Sequence, residues 1–312
     1  MSRLPAILAA SALLAGSLTA AAPAQTGPFA PGFAQKTVLA GGRAVHYRIG
    51  GSGPAVLLLH GYGDTGAMWA PMAPALAKNH LVIVPDLPGL GASRPQRATA
   101  PYDMASTART LHALMTSLHV TRAAVIGHDI GLMAAYAYAA QFPNEVTRLA
   151  LMDAPIPGVG PWQQVLLMPG IWHFHFNGKY AEQLTAGRER IYMNRIWDDF
   201  AFHPDRITEA KRRYYAASYA QPGNMHAGFS YFAAFYTDAD QNVRFAKMPL
   251  TMPVLAMGGA KSFGALMPQF ARAVATNVQT VVIPDAGHWL MDENPAATEA
   301  ALVRFLNESA QQ

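Results

Sequence analysis

The 312-residue chain contains no cysteine. That excludes disulfides, a thiolate nucleophile, iron–sulfur clusters and thiolate zinc sites. Charge is scarce too: 13% of residues are Asp, Glu, Lys or Arg, and 23 basic against 19 acidic give a net +4. No run of four basic residues occurs. The concentrated patch that a nucleic-acid reader needs is therefore missing, and no nucleic-acid partner is expected. Long hydrophobic runs are absent beyond the N-terminus, so no later segment is expected to span a membrane. What remains is a chain that is 51% apolar, too apolar for disorder. It is long enough to bury a large core without crosslinks.

Arg3 precedes an apolar, small-residue stretch from Ala6 to Ala22, and Ala22-Pro23-Ala24 places small residues at a cleavage site before Gln25. Residues 1–24 are expected to be a secretory signal peptide, leaving an exported protein, periplasmic or secreted, with no membrane anchor.

Short strand-like runs alternate with helix-like segments along the rest. Val45–Ile49, Ala55–Leu59, Leu81–Val84, Ala123–Ile126 and Val146–Met152 read as strands. Met68–Lys78, Met104–Leu118 and Leu132–Gln141 read as helices, and Gly50–Pro54 reads as a hairpin turn. After Asp153 the alternation stops. A helical, aromatic-rich insertion is expected over 155–247, dividing a sheet domain into segments 25–154 and 248–312. Alternation resumes with Met252–Met257, Met267–Ala275, Thr280–Ile283 and Ala296–Leu306. The expected architecture is α/β, a mostly parallel sheet covered on both faces, with an inserted helical lid.

Gly127-His128-Asp129-Ile130-Gly131 follows a strand and opens a helix, the setting of a nucleophile elbow with aspartate in the usual serine position. A carboxylate attacking a carbonyl gives a reactive anhydride. Attack on a saturated carbon bearing a good leaving group gives a stable ester. Epoxides and carbon–halogen bonds are thus the substrates that suit Asp129 as nucleophile, with a base needed to hydrolyse the ester. His288, after the last strand, is the candidate base. Asp153, at the end of the strand after the elbow helix, is the candidate orienting acid, with Asp285 as its rival. The backbone amides of Tyr62 and Ile130 are the candidate oxyanion donors. His173, His175 and a carboxylate supply no third metal ligand by spacing, and Gly258–Gly264 lacks the spacing of a phosphate loop. No cofactor or metal is expected.

His60-Gly61-Tyr62-Gly63, Asp86-Leu87-Pro88-Gly89, Gly127-His128-Asp129-Ile130-Gly131 and Gly287-His288-Trp289 together resemble the epoxide hydrolase and dehalogenase branch of the α/β-hydrolases. Met152-Asp153-Ala154-Pro155-Ile156-Pro157, Trp172-His173-Phe174 and Gly187-Arg188-Glu189-Arg190 resemble the secreted bacterial epoxide hydrolases related to the cystic-fibrosis transmembrane regulator inhibitory factor. That resemblance implies an eight-stranded α/β-hydrolase core, opening of a small apolar epoxide to a vicinal diol, and a homodimer. It implies a lid His and a lid Tyr as ring-opening donors. The His maps onto His173; the Tyr maps onto Phe232, which has no hydroxyl, leaving Tyr231, Tyr236 or His175 as substitutes. The group usually has Glu where Asp153 stands. Haloacid dehalogenases of this branch are expected to carry arginines where this chain has Ile130 and Met133, and haloalkane dehalogenases a Trp at Ile130. Trp172 could still lend an indole to a halide. A haloalkane or haloacid dehalogenase and a non-catalytic binding scaffold are the alternatives.

Overall fold

A computed structural model describes residues 29, 31–94 and 101–308. The expected signal peptide lies outside them. Eight strands form one sheet: β1 (Ala34–Ala40), β2 (Arg43–Gly50), β3 (Ala55–Leu59), β4 (Leu81–Pro85), β5 (Ala123–His128), β6 (Val146–Met152), β7 (Val254–Gly259) and β8 (Val278–Ile283). Their spatial order is β1-β2-β4-β3-β5-β6-β7-β8. β2 runs antiparallel to both β1 and β4, and every other pair is parallel.

The central strands are buried on both faces, which is why β3, β5 and β7 are almost wholly apolar. Helices Met104–Ser117 and Ile130–Gln141 pack on one face. Helix Pro295–Asn307 packs on the other, through Leu302 and Phe305. One turn was misplaced by sequence reasoning. Gly50–Pro54 is not a hairpin, since β2 pairs with β4 rather than β3; the hairpin lies at Gly41-Gly42, both at positive φ, where Ala40 faces Arg43. The expected helix 68–78 is broken into the short turns Gly66–Trp69 and Ala73–Leu76.

Between β6 and β7 the chain leaves the sheet and forms a helical lid. Its longer helices are Glu189–Phe200, Glu209–Tyr219, Asn224–Ala233 and Phe235–Phe245. Their aromatic residues make one continuous packing layer with the sheet domain, Tyr62 of the core meeting Phe232 and Tyr219 of the lid at 4.6 and 5.4 Å between ring centres. No described helix is long and apolar enough to cross a membrane.

Candidate active site

The parallel strands deliver their carboxyl ends to one edge of the sheet, where α/β folds place their ligands. His60 follows β3, Asp129 follows β5, Asp153 follows β6 and His288 lies on the loop after β8. Asp129 N–H still bonds to Met152 O (3.1 Å), and Asp153 N–H to Met257 O (2.8 Å), so the ladder holds each aspartate before the chain turns. Both then adopt positive φ, 54° at Asp129 and 52° at Asp153. For a residue with a Cβ this conformation is strained and persists only where neighbours enforce it.

The flanking glycines enforce it at the elbow. A Cβ on Gly127 would stand 2.1 Å from Gly131 O, and one on Gly131 would stand 2.5 Å from both Leu59 O and His60 O. Backbone occupies the space that a side chain would need. Helix Ile130–Gln141 starts directly after Asp129, two residues before the sequence pattern suggests.

Asp129 Oδ1 accepts the Tyr62 N–H at 2.7 Å, and Oδ2 lies 3.7 Å from His288 Nε2. His288 Nδ1 donates to Asp153 Oδ2 at 2.8 Å. Asp153 is fully enclosed: it also accepts Ser262 Oγ–H (2.7 Å), Gly259 N–H (2.8 Å) and Phe263 N–H (3.2 Å). Asp285, the rival acid, is half exposed and instead pairs with His203 and Arg206 at 2.7 Å each. Burial alone would push the His288 imidazole down. The hydrogen bond and charge of Asp153, with the charges of Asp129 and Glu293, outweigh burial and hold it above its ordinary 6.5.

The candidate oxyanion loop is fixed from several sides. His60 Nδ1–H donates to Gly61 O (2.9 Å) while Nε2 accepts Leu87 N–H (2.8 Å), which specifies one neutral tautomer; burial drives its pKa down. Gly63 N–H donates to the Tyr219 hydroxyl (2.8 Å), and Gly63 O accepts the Trp197 indole N–H (3.2 Å). Ile130, at the first turn of its helix, has an N–H that no intrahelical carbonyl can accept. His128 Nε2–H donates to His288 O at 2.8 Å, so the elbow also steadies the histidine loop.

A narrow pocket opens above Asp129, lined by Tyr62, Phe174, Phe200, Phe263, His173 and His288 among others. Among the described residues, no lysine or arginine lines it. His173 projects into it from the turn Pro169–Phe174 and is buried, its pKa pushed down to about 3 by burial and then by the nearby His288. The ring is neutral, its Nδ1 is sealed with no partner among the described residues, and Nε2 remains to meet a ligand.

The other lid candidates do not reach the cavity. Tyr231 is fully buried, but its hydroxyl donates to Pro88 O (2.9 Å) and its ring packs on Tyr102, so the expectation of Tyr231 as second donor is corrected. Phe232, one residue on, is the ring that turns toward His173, 5.3 Å between centres. His175 is exposed, bonding Leu166 O, and Tyr236 is 69% exposed. The Trp172 indole N–H donates outward to Asp199, leaving no halide-binding indole there. Trp197, Tyr219 and Glu293 were missed as site supports. All three lie in stretches whose sequence gives no sign of contact with the site.

Residues 54–295 match the α/β-hydrolase fold family. The chain belongs to the α/β-hydrolase fold family. Within this α/β-hydrolase family it sits on the epoxide hydrolase and dehalogenase branch. It is 29% identical to a soluble epoxide hydrolase of Corynebacterium sp. strain C12, over 85% of this chain and 94% of that one. It is 28% identical to a fluoroacetate dehalogenase of Burkholderia sp., over 89% and 95%. Among solved structures it resembles Cfl2 from Burkholderia cenocepacia, with TM-score 0.80 and 30% identity, covering 89% of this chain and 98% of that one.

Proposed function

We propose that this α/β-hydrolase opens small apolar epoxides to vicinal diols through an ester on Asp129. The observation that carries the reading is the Asp129 carboxylate itself, one oxygen held by the Tyr62 N–H and the other facing His288, in an aromatic cavity with no lysine or arginine among its described lining residues. Oδ2 attacks the epoxide carbon as the carbon–oxygen bond breaks. The resulting alkoxide is met by the His173 Nε2–H, a neutral donor. Oδ1 becomes the ester carbonyl, already seated against Tyr62 N–H with Ile130 N–H as second oxyanion donor. Water then adds its hydroxyl to the ester carbon and gives its proton to His288 Nε2, with Asp153 steadying the imidazolium. Collapse restores the carboxylate, and the two water protons end on the two diol oxygens. His173 works alone, since Phe232 offers no hydroxyl.

A haloacid would bring a carboxylate into a cavity with no lysine or arginine among its described lining residues. That favours a neutral substrate over a fluoroacetate-type one. The segments Met152–Pro157 and Trp172–Phe174 support a place near the secreted bacterial epoxide hydrolases noted above, and with it export and a homodimer. Purified protein is expected to convert terminal and aryl-substituted epoxides to diols. Halide release from haloalkanes with no diol formed would move it to the dehalogenases. A folded protein inert to both would be a binding scaffold.

A further inference from the structure

Glu293 takes no part in the steps above, yet its carboxylate is among the most heavily bonded in the molecule. It is 3% exposed. Oε2 accepts three backbone N–H groups, from Phe202 (2.8 Å), His203 (2.8 Å) and Gly287 (3.0 Å), and Oε1 accepts a fourth from Trp289 (3.1 Å). Gly287 and Trp289 flank His288. Phe202 and His203 follow the lid helix Glu189–Phe200. One buried carboxylate thus spans the seam between lid and catalytic loop. A carboxylate offers acceptor oxygens to both sets of N–H groups; an amide offers one acceptor oxygen and would set its own N–H against at least one of them.

The same seam is drawn tight elsewhere. His288 N–H donates to Phe200 O at 2.9 Å. A Cβ on Gly287 would stand 2.5 Å from Phe202 N and 2.7 Å from Phe200 O, so lid backbone fills the place of a side chain beside the histidine. At the outer edge Asp285 binds His203 and Arg206, and Arg206 also reaches the carbonyls of Asp285 and Glu293.

We propose that Glu293 is a positioning residue that fastens the lid segment after Phe200 to the loop carrying His288, so that seating the lid and aiming Nε2 at Asp129 are one event. The inference rests on reading His288 as the base of ester hydrolysis. Glu293 touches neither substrate nor reacting atoms, and its effect passes through the histidine.

The test is E293Q in single-turnover kinetics with styrene oxide, following ester formation and ester loss by intact mass. Misaiming His288 is expected to slow ester loss roughly ten- to hundredfold while ester formation stays within about threefold, so the adduct accumulates. Ester loss at the wild-type rate, or an equal fall in both steps, would overturn the proposal. Should the variant not fold, amide exchange in the wild-type protein decides. The N–H groups of Phe202, His203, Gly287 and Trp289 are expected to exchange slowly at one shared rate; fast exchange at Phe202 and His203 with protection at Gly287 and Trp289 would overturn it. Exchange needs no substrate, so a wild-type protein inert to styrene oxide would count against the proposed function alone.

Discussion

His288 is held between two aspartates that do different things to it. Asp153 grips Nδ1 at 2.8 Å from a site where backbone and Ser262 satisfy its remaining lone pairs, and Asp129 waits 3.7 Å from Nε2. Replacing Asp153 by Asn keeps an acceptor for Gly259 and Phe263 but sets an amide N–H against Nδ1–H. Ester hydrolysis is expected to fall at least ~100-fold in D153N, with ester formation much less affected, whereas D285N leaves both steps near wild type. Rapid-quench kinetics on both variants checks this. The pH dependence follows from the same contact. The base must be unprotonated; burial lowers its pKa while Asp153, Asp129 and Glu293 raise it in the free enzyme. The ester removes the Asp129 charge, so the acid limb of ester hydrolysis rests chiefly on Asp153 holding the imidazolium against burial. Removing the Asp153 charge lets burial dominate, and the limb in D153N moves to lower pH. A limb unmoved by D153N would separate Asp153 from the base.

At the scale of elements, the strands and the elbow were legible because their causes are local. Apolar runs ended by turn residues mark β3, β5 and β7, and Gly127 and Gly131 mark a turn with no room for side chains. Lid orientation was not legible. Tyr231 and Phe232 are adjacent on one helix, and a single step rotates a side chain by about 100°. Which ring turns toward His173 is decided by the fit against Tyr102 and Pro88 on one side and Tyr62 and His173 on the other. Sequence order cannot rank those contacts. The hairpin error has a similar origin, since Gly50–Pro54 ends a strand whose partner, β4, comes later in the chain.

The lid helix Phe235–Phe245 is tied to the core through a buried carboxyl group. Asp238 Oδ1 accepts the Met104 N–H at 2.7 Å, tying the lid to the start of a core helix, while Oδ2 is buried without a partner among the described residues. Burial raises its pKa from 3.8 to about 8. A raised folded-state pKa means stability that is full below 3.8 and lost as pH climbs through about 8. D238N keeps the acceptor and removes that charge. Its Tm relative to wild type is expected to rise between pH 5 and pH 9, by about 3 °C for each kcal/mol relieved. A Tm difference that stays constant across that range would contradict the ionisation.

For the whole molecule, lid and core act as one body at the site. Trp197 and Tyr219 hold the oxyanion loop at Gly63, and the elbow reaches the histidine loop through His128. The catalytic edge is therefore braced from the lid as well as from the sheet. Export belongs to this scale too. The full-length chain expressed in a Gram-negative host is expected to be recovered beyond the inner membrane beginning at Gln25. Intact mass of the recovered protein checks it, and retention of residues 1–24 would contradict it. The covalent route through Asp129 has a more direct test. In a single turnover in oxygen-18 water with enzyme in excess, the diol is expected to carry an unlabelled oxygen taken from Asp129, and the label to appear in the Asp129 carboxylate. Diol labelled in the first turnover, with Asp129 left unlabelled, would mean that water attacks the epoxide directly and that no ester forms.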